Sequence, residues 1–361
     1  MDYGVSVYID SDFSLDKNIK YIELAKKLGY STIFTSLHLP EIHYKEKLYE
    51  IETIFKMAKK YDMTIVADIA PQIMEVYGAN VKNLKPFKDI GVDILRVDYG
   101  FHNEDIISMS NNKMGIKIQI NASTTTFEDL LYFQKMGANW ENINTCHNFY
   151  PRPDTGLDYD YFLEQSAMLK KFDLPVWAFI PSDCGKRGPI YEGLPSLESH
   201  RKTSSYTAAR NLAYTDLIDG IIFGDAYACK KELEQVAKID SEIVEIGIDL
   251  SETVREEEKE IIFLPFHINR EDSPKNIIRS GKSRGYARNG TIIKANNCIE
   301  REAFCVTIDN EGFKRYSGEL QIVLKKMPAD KRVNIVGKLC SEEHVLAKQI
   351  SHGKKFRFRR G

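Results

Sequence analysis

Hydrophobic positions recur along the first two thirds of the chain in short runs separated by longer amphipathic stretches. The runs fall at residues 3–9, 32–37, 63–69, 92–97, 116–120, 140–145, 175–180 and 220–223 and read as strands. Between them, stretches such as 15–28, 44–61, 127–136 and 159–172 carry apolar residues at helical spacing. Gly29, Gly91, Gly137 and Gly220 stand at junctions from helix to strand, where a left-handed residue stops a helix. Eight such units over about 240 residues predict a (β/α)8 TIM barrel, an α/β fold, for residues 1–240. A doubly wound open sheet is the competitor, but no Gly-x-Gly-x-x-Gly follows the first strand.

Within single strands the polar and apolar positions alternate. Ser6, Tyr8 and Asp10 oppose Val5, Val7 and Ile9; Arg96 and Asp98 oppose Leu95 and Val97; Gln119 and Asn121 oppose Ile118 and Ile120. Side chains alternate across a strand, so the polar sets should face the barrel interior while the branched residues meet the helices. The polar residues sit toward the carboxyl ends of the strands, where barrel active sites are built.

After residue 240 the pattern changes. The acidic stretch 252–260 reads as a solvated face or linker. Short alternating runs then follow at 261–267, 276–280, 291–295, 303–308, 320–325, 333–339 and 344–349. Asn289-Gly290 and Asp309-Asn310-Glu311-Gly312 are turn signals between them. Residues 241–361 therefore read as a small all-β barrel domain, with the basic residues 354–360 as its last strand.

Composition narrows the class. The chain is 43% hydrophobic and 28% charged with a formal net charge of −2, so no clustered basic footprint for nucleic acid is expected. No run approaches the about 20 apolar residues of a membrane span, and the first residues enter a strand pattern with no secretory h-region. Six cysteines without CxxC pairs suggest free thiols and a cytoplasmic protein.

Candidate chemistry gathers at the strand ends. Asp10, Asp68, Asp98 and Asp225 lie near them, and Glu192 sits in the loop Gly188-Pro-Ile-Tyr-Glu-Gly-Leu-Pro195. Glycosidic cleavage needs one protonated acid and one ionised carboxylate, and these five are the candidates; the alternative for each is a hydrogen bond to a loop or a salt bridge. Arg96, Arg152, Lys186, Arg187 and Arg201 supply cations suited to phosphate or carboxylate, with Arg152 and Arg201 favoured. Tyr99, Asn121, His147 and Asn148 could bond sugar hydroxyls, and Phe149 and Tyr150 could stack on a ring. Cys146, beside His147, reads as packing, because neighbours in a strand face opposite ways. His38, Glu41 and His43 form a His-x-x-Glu-x-His string that would serve a metal-dependent isomerase, but their spacing is not the helical pair of zinc hydrolases. No cofactor is expected: a pyridoxal enzyme would want a lysine at an inner strand end, and the first strand has none.

Several of these stretches resemble bacterial 6-phospho-N-acetylmuramidases, a family long labelled as of unknown function or as outer surface proteins. The likeness is carried by Leu95-Arg-Val-Asp-Tyr-Gly-Phe101, His147-Asn-Phe-Tyr-Pro-Arg152, Thr155-Gly-Leu157, Gly193-Leu-Pro-Ser-Leu-Glu-Ser-His-Arg201 and Phe223-Gly-Asp225. In the second domain it is carried by Phe266-His-Ile-Asn-Arg270, Arg315-Tyr-Ser-Gly-Glu-Leu-Gln-Ile322 and Asn334-Ile-Val-Gly337. The resemblance implies a TIM barrel followed by a cyclophilin-like domain. It also implies cleavage of the β-1,4 bond between 6-phosphorylated N-acetylmuramic acid and N-acetylglucosamine, inside the cell, during peptidoglycan recycling. The expected partner is then a phosphorylated disaccharide, with no nucleic acid or membrane; a homo-oligomer stays open. On this reading Asp98 is the ionised carboxylate and Glu192 the acid, with Asp225 as a further candidate and Asp10 in reserve. His267, Arg270, Arg279 and Arg284 of the second domain could bind an anion. The rival classes are a metal-dependent sugar-phosphate isomerase or epimerase and a non-catalytic sugar-phosphate-binding protein.

Overall fold

The computed structural model describes the chain except residues 10–13, 39–43 and 286–288. It divides into two compact units, Met1–Ile239 and Asp240–Gly361. Asp10, Glu41 and His43 lie outside the described residues.

The first unit is a closed barrel of eight parallel strands in sequential order. They are β1 (Asp2–Ser6), β2 (Thr32–Ser36), β3 (Thr64–Ile69), β4 (Ile94–Val97), β5 (Lys117–Asn121), β6 (Ile143–Cys146), β7 (Val176–Ile180) and β8 (Gly220–Ala226). Between them run α1 (Leu15–Lys27), α2 (Tyr44–Lys60), α3 (Pro71–Val76), α4 (Lys85–Asp89), α5 (Asn103–Ser110), α6 (Phe127–Lys135), α7 (Tyr159–Lys170) and α8 (Ser205–Ala213), with α9 (Lys230–Val236) after β8. The TIM-barrel expectation therefore holds for this unit. Helix α1 shows why: Asn18, Tyr21, Ile22 and Ala25 make one buried face at helical spacing, and Ser14 caps the first turn by accepting from the Lys17 N–H.

Parity follows the sequence. Val66 and Ile94 belong to the interior cluster with Tyr8, Phe34, Trp177 and Phe179. Asp68 and Arg96, two residues farther along β3 and β4, therefore point inward as well. Strand register places Ser36, Asp68, Arg96, Gln119 and Asn144 side by side, which makes a polar layer above that apolar plug.

Two local expectations fail. The run at 140–145 begins with a 3₁₀ turn, Trp140–Asn142, because the Ser110 hydroxyl and carbonyl capture the Asn139 N–H and the Asn142 amide. Gly220 does not end a helix. It opens β8, and a Cβ there would lie 2.3 Å from the Trp177 ring, so glycine is needed for clearance. Gly29, Gly91 and Gly137 do take positive φ, at 93°, 98° and 76°.

The second unit is a seven-stranded mixed sheet. Its strands are β9 (Ile243–Leu250), β10 (His267–Ile268), β11 (Ile277–Arg279), β12 (Cys305–Asp309), β13 (Leu320–Val323), β14 (Val333–Leu339) and β15 (Lys355–Arg360), in the order β10-β15-β9-β14-β12-β13-β11. A bridge between Asn269 and Ser280 joins the two edges, so the sheet nearly closes. The basic final strand is present and pairs parallel with β9.

The unit is not all-β. Residues 344–349 begin with a short helix, His344–Ala347, and the second half of the acidic stretch, expected as a solvated face or linker, lies in the helix Glu256–Ile262. Glu258 in that helix is buried and accepts from the Asn334 amide, so one of the clustered acids is a core residue.

Candidate active site

Charged groups from three barrel strands meet at the carboxyl rim. Arg96 on β4 donates to Asp68 Oδ1 of β3 at 2.7 Å and lies 3.5 Å from Asp98 Oδ1 just beyond β4. Its other terminal nitrogen donates to Asn148 Oδ1 on the loop after β6. His38, two residues past β2, puts Nε2 3.2 Å from Asp98 Oδ2, and Tyr99 stands edge-on to the His38 ring. Arg96 and Asp68 are buried, whereas the Asp98 side chain keeps 29% of its surface exposed and Tyr99 is open to solvent. Asp98 is thus the acid of this group that a ligand can reach.

The environments separate the two carboxylates. Burial pushes Asp68 up, with Asp98 adding to it against the pull of Arg96. Burial also works to raise Asp98, but the His38 hydrogen bond and the Arg96 charge outweigh it and hold Asp98 below the usual carboxylate range. For His38 burial favours the neutral ring, but the Asp98 hydrogen bond and the Asp68 charge prevail and raise it above its ordinary value. Arg96 Nε, both amide atoms of Gln119 and Asn144 Oδ1 are buried without hydrogen-bond partners among the described residues.

A second assembly fastens the loops after β6 and β7. Arg201 donates to both oxygens of Glu198 (2.6 and 2.7 Å), to the Gly193 and Glu192 carbonyls (3.0 and 3.4 Å), and to the Tyr150 and Arg152 carbonyls (2.9 and 3.2 Å). Leu157 and Leu197 bridge the same loops, and Glu198 also accepts from the Gly156 N–H. Its bond with Arg201 takes the Glu198 carboxyl down to about 2, against partial burial. Asp225 at the end of β8 is fully buried and accepts from the backbone N–H groups of Ser182, Arg187 and Leu194 at 2.9, 2.9 and 3.1 Å.

These contacts revise several sequence expectations. Arg201 is committed to Glu198 and four carbonyls, so it is a clasp and not a phosphate ligand; Arg152 is exposed and keeps that option. Asp225 organises the β7 loop and has no surface for a substrate. Glu192 is exposed on the loop that Asp225 and Arg201 anchor on either side. His147 is fully buried between the Ser123 and Ser166 hydroxyls (3.2 and 3.0 Å) and against Phe162. Burial lowers His147 to about 3, so it is a neutral core residue that meets no substrate. Phe149 packs edge-on against Phe34 and Phe179, and it, Tyr150 and Asn121 are all partly exposed. Arg187 is buried over the Tyr8 ring, with Lys186 beside it in solvent. Cys146 packs in the interior, its thiol pushed up to about 12 by burial.

His38 and Asp68 are the members that sequence reading undervalued. Asp68 shares the strand parity and register of Arg96, which was signal enough; His38 had been weighed only as a metal ligand. His38, Asp68 and Asp98 each offer an atom within 4.8 Å of the others, as do Cys184, Cys229 and Glu232. At the first group the Arg96 guanidinium already supplies the countercharge a metal would bring, so the donor set fits an ion poorly. The second group would suit a soft ion. Among the described residues no helix is long and apolar enough to cross a membrane.

In the second unit His267 is fully buried, held by Ser280 and the Ile262 carbonyl, and lowered to about 4 by burial. Arg270 pairs with Asp272 at the surface, and Arg279 and Arg284 both pair with Glu319.

Comparison with known proteins covers both units. Residues 3–238 match the family model described as 6-phospho-N-acetylmuramidase, N-terminal, and residues 244–359 match its C-terminal counterpart. No curated protein matches the chain. Among solved structures, an uncharacterized B. cereus protein is 32% identical over 99% of both chains with a TM-score of 0.89. A conserved Enterococcus faecalis protein of unknown function is 30% identical over 100% of this chain and 96% of its own, with a TM-score of 0.73.

Proposed function

Since the chain belongs to the 6-phospho-N-acetylmuramidase family, we propose that its barrel unit hydrolyses the β-1,4 bond of a disaccharide of 6-phosphorylated N-acetylmuramic acid and N-acetylglucosamine. The observation that carries this is Asp98: a reachable carboxylate kept ionised by His38 and Arg96 at the carboxyl rim of a barrel. Asp98 acts on the sugar side of the scissile bond, as nucleophile or as the base that activates water. A protonated acid must give the glycosidic oxygen its proton so that N-acetylglucosamine leaves as the alcohol. Glu192, exposed on its anchored loop, is the acid of this scheme. Arg152 meets the 6-phosphate, and Tyr99, Asn121, Asn148 and Tyr150 line the sugar path. Arg96 and Asp68 position Asp98.

The reaction serves peptidoglycan recycling in the cytoplasm, and the second unit follows the cyclophilin-like architecture implied by the family resemblance. The deciding experiment is incubation with the phosphorylated and the unphosphorylated disaccharide, following free N-acetylglucosamine. Release from the phosphorylated substrate alone is expected, and no release from either overturns the proposal. The rival metal-dependent isomerase is favoured only by the closeness of His38, Asp68 and Asp98. A stoichiometric divalent ion whose chelation abolished a sugar-phosphate isomerisation would establish it instead.

A further inference from the structure

Alternation on the second unit's sheet places an unusual set of residues on one face. Asp309 of β12 lies opposite Glu319, which precedes β13, and Thr307 lies opposite Gln321, itself paired with Arg279 of β11. The reverse face, Val306, Ile308, Leu320 and Ile322, is ordinary buried core. A polar strand face normally looks into solvent. Here its residues are buried, and beside them opens a cleft of about 360 Å³ bordered by Arg301, Phe313 and Tyr316.

The polar groups around that cavity are incompletely satisfied. Asp309 is 5% exposed, and its Oδ1 has no hydrogen-bond partner among the described residues. Among the described residues Arg284 Nε is also unpartnered, as is the fully buried Thr307 hydroxyl on the same strand face, though Thr307 does not border the cleft. Arg301, 9% exposed, donates from Nε to the Pro328 carbonyl at 3.0 Å, while its terminal nitrogens bond nothing among the described residues. Glu319 is different: it holds Arg279 at 2.7 Å and Arg284. No ion pair among the described residues joins Asp309 to Arg301, although both border the same space. An acid and a guanidinium that border one space without pairing call for an occupant that accepts from the guanidinium and exchanges hydrogen bonds with the acid.

We propose that this cavity is a saccharide-binding site, taking one sugar ring whose adjacent hydroxyls bridge Asp309 and Arg301. Each hydroxyl both donates and accepts, which matches a carboxylate and a guanidinium side by side. The volume falls in the range of small-molecule sites, and the edges of Phe313 and Tyr316, whose rings already carry Arg332 and both Arg284 and Arg315, add apolar surface to its border. Burial, then the Glu319 charge, pushes the Asp309 carboxyl up to about 7, so near neutrality it presents both a donor and an acceptor to a hydroxyl. The site belongs to the second unit alone and does not depend on what the barrel catalyses.

The test is calorimetric titration of N-acetylglucosamine into the full chain, using wild type and the variants Asp309→Asn, Arg301→Ala, Tyr316→Ala and Asp98→Asn, each checked for an unchanged thermal midpoint. The expected result is a saturable binding event in wild type that Asp98→Asn retains, whether or not the barrel also binds the sugar as product. Affinity should fall about tenfold or more in Asp309→Asn and Arg301→Ala. Tyr316, 38% exposed, gives a surface variant that should also weaken binding if Asp309→Asn does not fold. The proposal is overturned if no heat is seen at millimolar sugar, or if all three cavity variants bind like wild type. It is overturned equally if Asp98→Asn alone abolishes binding, or if inorganic phosphate binds as tightly as the sugar.

Discussion

His38 Nε2 and Asp98 Oδ2 lie 3.2 Å apart although their residues leave different strands, β2 and β4. The pair ties the half-buried acid of the rim to an imidazole, and its two partners are shifted in opposite directions: Asp98 is lowered and His38 is raised. The Asp98 contribution to stability is present above the ordinary carboxylate range and is lost as pH falls through its depressed value. The His38 contribution is complete below the unfolded imidazole value of about 6.5 and is lost as pH rises through the elevated one. Asp98→Asn should therefore drop the His38 titration midpoint, read from its ring proton resonances. An unchanged midpoint would mean that the pair does not form in solution.

The same substitution should lower turnover of the phosphorylated disaccharide by about 10²- to 10⁴-fold while the thermal midpoint stays near wild type. Glu192→Gln should behave alike. Asp68→Asn differs: it keeps an acceptor for Arg96 but removes the charge that compensates the buried guanidinium, so stability as well as turnover should fall. Full activity in Asp98→Asn would remove that residue from the mechanism.

Arg201 and Arg152 should separate cleanly. Arg201→Ala abandons Glu198 and four carbonyls, and a loss of about 2–4 kcal/mol is expected in urea unfolding. Arg152→Ala, at an exposed site, should change stability by about 0.5 kcal/mol or less. Its effect should appear as a raised KM for the phosphorylated substrate. Equal stability losses in the two variants would contradict the division of roles.

Acid should destabilise the barrel well before its carboxylates protonate. His147 and His200 are buried and lowered to about 3 and about 4, so below about pH 6.5 the unfolded chain binds protons that the folded one refuses. Each should cost about 2 kcal/mol between pH 7 and pH 5. Urea midpoints at the two pH values measure this, and His147→Asn should flatten the dependence.

Gly220→Ala tests the clearance under Trp177. A methyl group 2.3 Å from the indole forces ring or strand to move, at a cost of about 1–3 kcal/mol. A wild-type thermal midpoint in this variant would show that the ring has room to yield.

The barrel was legible because alternation and helical spacing are local signals. Val66, Asp68, Ile94 and Arg96 reveal their shared interior face to anyone counting by twos. Arg201 and Asp225 are misread because a charged side chain near a loop looks the same in sequence whether it meets a ligand or satisfies the backbone groups of neighbouring loops. His147 misled in the same way, since its serine partners come from residues 123 and 166. Glu258 was hidden within a run of acids whose other members are solvated, and only the fold of the second unit brings Asn334 to it.

The clasp that Arg201 makes between the loops after β6 and β7 also bears on how such a rim can change over time. An insertion in either loop alone would unhook carbonyls contributed by the other, so the two must lengthen or shorten in concert. They form one cassette: a grafted specificity loop taken from a relative should be transplanted together with its neighbour and the Glu198–Arg201 pair, or the exchanged segment arrives without its fastening.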